Sequence, residues 1–306
     1  MATTKRLLVT GATGKQGGAL ISALLSKPFQ SFEIYAVTRN ANSTSSQQLQ
    51  RQGVKIIQGN LDDTQAIFSQ IQKPVWGVFA VPLLDKGIKK EEEQGYALVQ
   101  AAVEAQTSHI VYTTTDRGGD VASEGNPTPV PHFASKYRVE EDIRAKAAAS
   151  NGHLSYTLLR PVAFLESMPN GFLGRAFVAI WRLNGSDRKL QVITVKDIGK
   201  VAAEAFLNAE KDEYRNKAIS LAGDSLSPHE AGKIFQDVVG QKLPETYSWL
   251  GWLIRTMVAD LRHMFAWFKS DGFGVDVPAL RRRYPFMTDF RTWLKEESDW
   301  GKVKAK

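Results

Sequence analysis

The sequence contains no cysteine, and this absence excludes disulfide bonds, thiolate metal sites and cysteine nucleophiles. It also has no apolar run suited to crossing a membrane, since its apolar stretch at 249–268 contains Arg255, Asp260, Arg262 and His263. The apolar run near the N-terminus is too short for a signal peptide. We therefore expect a cytoplasmic or nuclear protein of a reducing compartment, with no transmembrane segment.

The overall charge of the chain is positive, with a formal net charge of +7. Positive charge raises the question of nucleic-acid binding. The basic residues are spread along the chain, however, with their tightest cluster at Arg281–Arg283, and no nucleic-acid-binding motif is present. We therefore expect no nucleic-acid partner, and a phosphate-containing cofactor would need only a few of these cations.

Short apolar runs recur through the first half of the chain, at 6–10, 33–39, 54–59, 75–82, 109–115 and 155–161. Segments with helical patterns lie between or after them, among them 15–26, 64–71, 88–106 and 132–150. Continuous apolar strands that alternate with helices are typical of a parallel sheet covered on both faces. Because the crossovers of such a sheet are right-handed, the sequence predicts a Rossmann-type, doubly wound α/β fold.

The pattern changes after Pro161. An irregular segment is followed by helical patterns at 195–208 and 227–240 and by an apolar run at 217–223. Ser227 is placed to cap the later helix and Gly240 to end it. We therefore predict a Rossmann domain over 1–161, with returns to its sheet near 190–223, and a smaller, mostly helical substrate or partner domain over 162–306.

A glycine-rich loop, VTGATGKQGG at 9–18, follows the first apolar run and precedes a helix. Gly11, Gly14 and Gly17 let the backbone approach a pyrophosphate, whose charge the helix N-terminus favours. The alternative is a structural turn without a ligand, but the strand–turn–helix context is that of a dinucleotide site. We predict that the loop binds the cofactor through Gly11, Ala12, Thr13, Gly14, Lys15, Gln16 and Gly17. Val81 and Pro82 end the fourth run, where the middle of the cofactor would lie.

The second apolar run ends at Thr38, Arg39 and Asn40, where an NAD site usually has an acidic residue for the ribose hydroxyls. A guanidinium suits a 2′-phosphate instead, although Arg39 could also be a solvated charge at a strand end. The sequence therefore favours NADP(H) over NAD(H).

After the third run, Asn60 and Asp62 are placed to reach an adenine edge, and Leu61 could cover the face of the ring. Asp62 or Asp63 could instead cap the helix that follows. Capping is the expected role of Asp63, and the two roles are equally expected for Asp62.

Together these motifs resemble the NmrA-like branch of the atypical short-chain dehydrogenase/reductases. The resemblance rests on GATGKQGG, VTRN, GNLDD, HFASK, LLRPVAFLES, ITVKDIGKVAAEAF (193–206) and FRTWLKEESDW (290–300), so it covers nearly the whole chain. It implies a Rossmann domain with a small, largely helical C-terminal domain and with NADP(H) in the cleft. Members of the family include nitrogen-metabolite regulators, redox sensors and reductases.

The resemblance also implies roles for residues at both ends of a bound NADP(H). At the phosphate and adenine end these are the turn Gly11 to Gln16, the clamp of Thr38, Arg39 and Asn40, and the adenine contacts Asn60 and Leu61. At the nicotinamide end, Lys136 would reach the ribose, and the segment with Phe164, Glu166 and Ser167 would line the pocket. Ser167 stands where relatives often have asparagine.

A carbonyl reductase of this fold takes a hydride from the cofactor and a proton from a tyrosine beside a lysine. Here His132 occupies the tyrosine position, four residues before Lys136 and on the same helix face. His132 could donate the proton, since imidazole titrates near neutrality, or it could be a surface residue of the first turn. Thr114 could orient a substrate or simply be a strand residue. Lys136, His132 and Thr114 are thus the catalytic candidates.

The missing tyrosine slightly favours a redox-sensing regulator that binds NADP(H) without the usual Tyr–Lys pair. The alternative is an NADPH-dependent oxidoreductase acting on a small carbonyl, imine or quinone, since easily reduced acceptors need no dedicated acid. The regulator would bind a protein partner, whereas the oxidoreductase would bind a small-molecule substrate. We expect the aromatic residues of 247–268 to pack a core, with an interface and a substrate pocket as the second and third alternatives.

Overall fold

The computed structural model describes residues 4–27, 32–72, 74–81, 87–168 and 171–302. The chain divides into two compact units. Unit 1 consists of Met1–Thr114, Ser135–Leu159 and Ile198–Ile219, and unit 2 consists of Thr115–Ala134, Arg160–Asp197 and Ser220–Lys306. The division of the chain between residues 161 and 162 stays a prediction.

The strands of the described residues are short, and several of them match the apolar runs of the sequence. They are β1 (Lys5–Val9), β2 (Phe32–Thr38), β3 (Lys55–Gln58), β4 (Gly77–Ala80), β5 (His109–Thr113), β6 (Ser155–Pro161), β7 (Ala163–Phe164), β8 (Leu190–Ile193), β9 (Lys217–Leu221) and β10 (Asp224–Leu226).

Helices follow most of the strands in the first half of the chain and dominate its end. They are α1 (Lys15–Leu25), α2 (Thr44–Arg51), α3 (Thr64–Ser69), α4 (Ile88–Glu104), α5 (Asp120–Ser123), α6 (Pro131–Ala149), α7 (Phe172–Arg182), α8 (Val195–Leu207), α9 (Pro228–Val239), α10 (Ser248–Met257), α11 (Ala259–Ser270), α12 (Val277–Arg283), α13 (Phe290–Glu296) and α14 (Asp299–Lys302).

The main sheet has seven strands in the order β3-β2-β1-β4-β5-β6-β9. The pairings from β3 through to β6 are parallel, with Leu8 opposite Tyr35 on one side and Val78 on the other. Every residue of β4 and β5 is buried, as expected for central strands of a parallel sheet that is covered on both faces. The direction of winding reverses between β1 and β4, so the predicted Rossmann-type, doubly wound fold is confirmed.

Each unit has its own hydrophobic core. In unit 1 the core joins strand residues such as Leu8, Val37 and Ile110 to helix residues such as Leu98 and Ile143. In unit 2 it is more aromatic, and Phe133, Trp181, Phe235, Phe265 and Trp293 are among its members. Each fully buried side chain of this kind contributes about 1.5–3 kcal/mol relative to its exposed state.

Unit 2 also contains a small sheet in the order β10-β8-β7, and helices make up most of its later part. The predicted caps of α9 are confirmed, because Ser227 and Glu230 form a reciprocal capping box and Gly240 adopts a left-handed conformation. The mostly helical C-terminal part of the predicted fold is therefore also confirmed.

The aromatic segment 247–268 forms parts of two helices with different surroundings. Phe265, Trp267 and Phe268 on α11 are buried in the core of unit 2, as predicted. Trp249 and Trp252 on α10 are 64% and 53% exposed, so the prediction of core packing is wrong for them. None of the helices in the described part of the chain is both long and apolar enough to span a membrane.

Candidate functional site

The glycine-rich loop of unit 1 is a tight turn between β1 and α1. Gly11 has a φ of +60°, a conformation that favours glycine, and its carbonyl accepts a hydrogen bond from the Gly14 amide at 2.9 Å. Gly14 is the N-cap of α1 and has no side chain to satisfy the first amides of the helix. Thr13, Gly14 and Lys15 are exposed. The turn can therefore present backbone amides to an anion.

Gly17 fixes how closely α1 approaches this turn. A Cβ at position 17 would lie 2.4 Å from the Gly11 oxygen and 2.6 Å from the Gly11 carbonyl carbon. The helix therefore packs directly on the backbone of the loop, which is the role of the third glycine in a dinucleotide-binding turn. Ala12 is buried beneath the turn and contributes packing.

Hydrogen bonds tie the loop to the ends of β4 and β5. The buried hydroxyl of Thr10 donates to the Phe79 carbonyl at 3.0 Å and accepts from the Val81 amide at 2.8 Å. Thr113 donates to the Gln16 side chain at 2.7 Å. These bonds hold the loop at the carboxyl edge of the sheet. Pro82, predicted to contact the cofactor, lies outside the described residues.

The predicted 2′-phosphate clamp lies at the end of β2. Thr38 is buried, and its hydroxyl accepts hydrogen bonds from the Asn40 amide at 3.2 Å and from Ser46 at 3.3 Å. The Asn40 side chain accepts from the Asn42 amide at 2.9 Å. Arg39 is exposed at the tip of the turn. Thr38 and Asn40 thus shape the turn that presents Arg39, and their direct contacts with a phosphate stay predictions.

The loop after β3 carries the predicted adenine contacts. Asp62 accepts hydrogen bonds from Asn60 at 3.0 Å and from Gln94 at 2.9 Å, and it forms an ion pair with Lys90 at 3.2 Å. Leu61 is buried in the core, so a contact with adenine would have to come from its backbone. The Asp62 carboxylate therefore has structural partners, and the adenine contacts stay predictions.

Asp63 caps α3, because its side chain accepts a hydrogen bond from the Ala66 amide at 3.0 Å. The capping role predicted for Asp63 is thus confirmed.

Lys136 on α6 forms a part-buried ion pair with Glu91 on the first turn of α4. The Lys136 ammonium donates to Glu91 Oε1 at 2.7 Å, and the two side chains are 15% and 4% exposed. The hydroxyl of Thr114 donates to the buried Glu140 at 2.6 Å and not to the glycine loop. Thr113, not Thr114, is therefore the strand threonine that meets the glycine loop, and strand alternation separates the two.

Tyr112 is the tyrosine of β5, and it is almost fully buried in the core of unit 1. Burial raises the pKa of Tyr112 well above its usual value, and the carboxylates of Glu91, Glu140 and Glu92 add to that effect. Because its side chain is enclosed in this core, Tyr112 does not take the place of the missing catalytic tyrosine.

His132 in unit 2 pairs with Asp260 at the start of α11. His132 Nδ1 lies 2.6 Å from Asp260 Oδ2, and the His132 amide donates to Asp260 Oδ1 at 3.4 Å. Burial by itself raises the pKa of Asp260, but hydrogen bonds from His132 and the charges of His132 and His263 hold it below its usual range. His132 is therefore a part-buried residue with a carboxylate partner, and its catalytic role stays a prediction.

The segment predicted to line the nicotinamide end also belongs to unit 2. Phe164 ends β7 and is part-buried, Ser167 is exposed, and Glu166 accepts a hydrogen bond from the Val195 amide at 2.9 Å. Glu166 thus binds the first turn of α8. Its role toward a cofactor, like that of its two neighbours, stays a prediction.

Sequence reasoning missed the partners of Lys136 and His132, two of the three candidate catalytic residues. Glu91 is 45 residues from Lys136 in the chain, and Asp260 is 128 residues from His132. The helical pattern of 88–106 places Glu91 in a first turn but does not show which residue it meets. Among the residues that the structure describes, no cluster of three or more His, Asp or Glu could hold a metal ion.

The fold and the glycine loop define a Rossmann-type protein, and sequence comparison identifies its family. A sequence model of the NmrA-like family matches residues 3–282. An NmrA-like family domain-containing oxidoreductase of Aspergillus hancockii, hkm9, is 33% identical over 79% of this chain and 74% of its own. The corresponding oxidoreductase malD of Malbranchea aurantiaca is 27% identical over 79% and 75%. The chain belongs to the NmrA-like family.

Solved structures share the fold. NmrA, a negative transcriptional regulator, in complex with NADP is 17% identical and has a TM-score of 0.72, with 97% of this chain and 99% of that chain covered. The triphenylmethane reductase of Citrobacter sp. complexed with NADP(H) is 19% identical and has a TM-score of 0.70, with 95% and 99% covered. At these identities the similarity shows the common architecture.

Proposed function

We propose that this protein binds NADP(H) and uses it as an oxidoreductase of a small organic acceptor. The observation that carries the proposal is the arrangement of unit 1. The exposed Arg39 follows β2, the glycine loop follows β1, and Lys136 lies beside the first turn of α4. These features lie in the same order as their strands β2, β1 and β4 in the sheet. An extended dinucleotide along the carboxyl edge of the sheet would meet them in that order.

The known relatives support both parts of the proposal. Curated relatives of the family are named oxidoreductases, and similar structures hold NADP or NADP(H). A related NmrA structure holds NAD, so the preference for the phosphorylated cofactor rests on Arg39 and the lack of an acidic residue at the end of β2.

Bound NADPH would supply a hydride to the acceptor, and the residues of the chain would hold the cofactor in place. The Gly11–Gly17 turn would bind the pyrophosphate through its amides, and Arg39 would pair with the 2′-phosphate. Lys136 would keep a positive charge near the second ribose. Acceptors that need little help from an acid, such as quinones, suit a site without the tyrosine.

The test of the cofactor assignment is the substitution Arg39→Ala. Since hydrogen bonds to charged groups contribute about 1.5–3 kcal/mol, the variant should bind NADPH roughly 10- to 100-fold more weakly and bind NADH as the wild type does. Dissociation constants from calorimetry or nucleotide fluorescence give this comparison. Arg51→Ala is the matched control, because Arg51 is an exposed arginine at the end of α2.

An equal loss of affinity for NADPH and NADH in Arg39→Ala would contradict the 2′-phosphate assignment. The enzymatic part of the proposal is tested by incubating the wild type and NADPH with a panel of carbonyls, imines and quinones. Repeated turnover of NADPH supports it, and tight NADPH binding without turnover on any acceptor contradicts it.

A redox-sensing regulator is the second candidate, and one observation favours it. The position one helical turn before Lys136 holds His132, which is already paired with Asp260, in place of a tyrosine. A regulator should bind NADP⁺ and NADPH with different affinities and turn over neither of them. Equal affinity for the two forms together with turnover would exclude this candidate.

A further inference from the structure

A buried carboxylate of unit 1 has one oxygen without a partner. Glu91 uses Oε1 to accept the hydrogen bond from Lys136, while its buried Oε2 has no hydrogen-bond partner among the described residues. The Glu91 side chain is only 4% exposed. A buried, unpaired carboxylate oxygen is costly, so such an atom in a functional region calls for a ligand that completes it.

A neighbouring ion pair joins the same two helices, and both of its carboxylate oxygens have a partner. Glu92 also links α4 to α6, and it uses both of its oxygens on Arg138, at 2.7 Å and 2.6 Å. This bidentate pair is more exposed, as expected for a structural contact at the surface. The same two helices therefore carry two neighbouring ion pairs. In the complete pair, Glu92–Arg138, both carboxylate oxygens are bonded, and in the incomplete pair, Glu91–Lys136, only one is.

The incomplete pair lies where the second half of a dinucleotide would pass. With the glycine loop after β1 and Arg39 after β2, the adenosine half would extend toward β2 and β3. The other half must then extend over β4 and β5. The first turn of α4 follows β4, and it reaches the carboxyl edge of the sheet, since its Lys90 contacts Asp62 of the loop after β3.

We propose that Glu91 and Lys136 together bind the vicinal diol of the nicotinamide ribose. The Lys136 ammonium donates a hydrogen bond to one hydroxyl, and Glu91 Oε2 accepts one from the neighbouring hydroxyl. A lysine alone can only donate and a carboxylate alone can only accept, so the pair matches the mixed character of a diol. This assignment of Glu91 rests on the proposed NADP(H) site.

The first experiment compares Glu91→Gln with Glu92→Gln in the full-length protein. Two probes are titrated: NADPH, and adenosine 2′,5′-bisphosphate, which lacks the nicotinamide ribose. Glu91→Gln should bind NADPH roughly tenfold more weakly, because the ribose hydroxyl can then bond only to a neutral amide oxygen, and should bind the bisphosphate as the wild type does. Glu92→Gln should bind both probes as the wild type does, since Arg138 is its partner.

A second measurement uses two NADPH analogues, one whose nicotinamide ribose lacks the 2′-hydroxyl and one whose nicotinamide ribose lacks the 3′-hydroxyl. The wild type should bind one of the two about as weakly as Glu91→Gln binds NADPH, because each change removes the charge-assisted bond between Glu91 and that hydroxyl. Glu91→Gln should gain little affinity from the same hydroxyl, so the two losses of affinity should not add.

Several outcomes would overturn the diol assignment. Unchanged NADPH affinity in Glu91→Gln would show that Glu91 does not touch the cofactor. Equal weakening of both probes would show a structural role for Glu91. Additive losses of affinity with both analogues would show that Glu91 contacts neither hydroxyl. In each case tight wild-type binding of NADPH would leave the proposed function intact, whereas a wild type that binds neither probe would overturn both.

Discussion

At the scale of the single residue, Gly17 decides whether the glycine loop can form. The backbone of Gly11 lies where a Cβ of residue 17 would be, and backbone atoms cannot move aside as a flexible side chain can. Gly17→Ala should therefore lower the free energy of unfolding by about 1–3 kcal/mol and weaken NADPH binding by roughly tenfold or more. Urea denaturation and calorimetric titration measure the two effects.

Gly18→Ala is the control for this prediction. Its Cβ would lie 3.4 Å from the nearest atom, the Ala12 oxygen, and alanine stabilises a helix by about 0.5–1 kcal/mol relative to glycine. Gly18→Ala should therefore keep the nucleotide affinity of the wild type. If the two variants behaved alike, close packing of α1 on the loop would not be the reason for the glycine at position 17.

Single residues also show which parts of the site could be predicted from the sequence. The glycine loop could be predicted because its conformation depends on residues within a few positions of one another. The Lys136–Glu91 and His132–Asp260 pairs could not, because their members lie far apart in the chain and meet only through tertiary packing.

At the scale of the element, α10 and α11 divide the aromatic residues between surface and core. Trp267 on α11 is buried against Phe133 and Phe273, whereas Trp249 on α10 is 64% exposed. Trp267→Ala should lower the free energy of unfolding by about 3–5 kcal/mol, because it leaves a large cavity. Trp249→Ala should change it by less than about 0.5 kcal/mol. Urea denaturation of both variants is the measurement, and similar losses would contradict this division.

Helix ends were predicted better than helix faces for a physical reason. The capping box of α9 lies within a few consecutive residues, so the sequence contains all of it. The buried face of α10 depends instead on α7, against which Gly251 packs so closely that its Cβ would lie 3.0 Å from Ala179. Spacing along the chain indicates that a helix is amphipathic, but its neighbours decide which aromatic residues are covered.

At the scale of the whole molecule, the alternation of strands and helices was enough to predict the main sheet. Its parallel strands coincide with mainly apolar runs of the sequence, and the parallel pairing leaves few other topologies. The distribution of the chain between two units was harder to predict. Unit 1 contains the later segments 135–159 and 198–219 as well as the N-terminal segment. The return of these later segments to unit 1 depends on contacts between residues far apart in the chain.

Part of the pH dependence of the stability of the whole protein should come from one buried histidine. His109 in β5 is fully buried, and its ring nitrogens contact Ser155 at 2.8 Å and Thr157 at 3.1 Å. Burial, together with the charges of Arg215 and Lys5, lowers the pKa of His109 from 6.5 to about 3. Between these two values the unfolded chain binds a proton that the folded protein does not bind.

Folding stability should therefore fall as the pH decreases below 6.5, with about 2 kcal/mol lost through His109 by pH 5. His109→Gln removes this titration, so its free energy of unfolding should fall by about 2 kcal/mol less than that of the wild type between pH 7 and pH 5. Urea denaturation of both proteins at the two pH values measures the difference, in which the contributions of the carboxyl groups cancel. An equal fall in both proteins would show that His109 is not the group responsible.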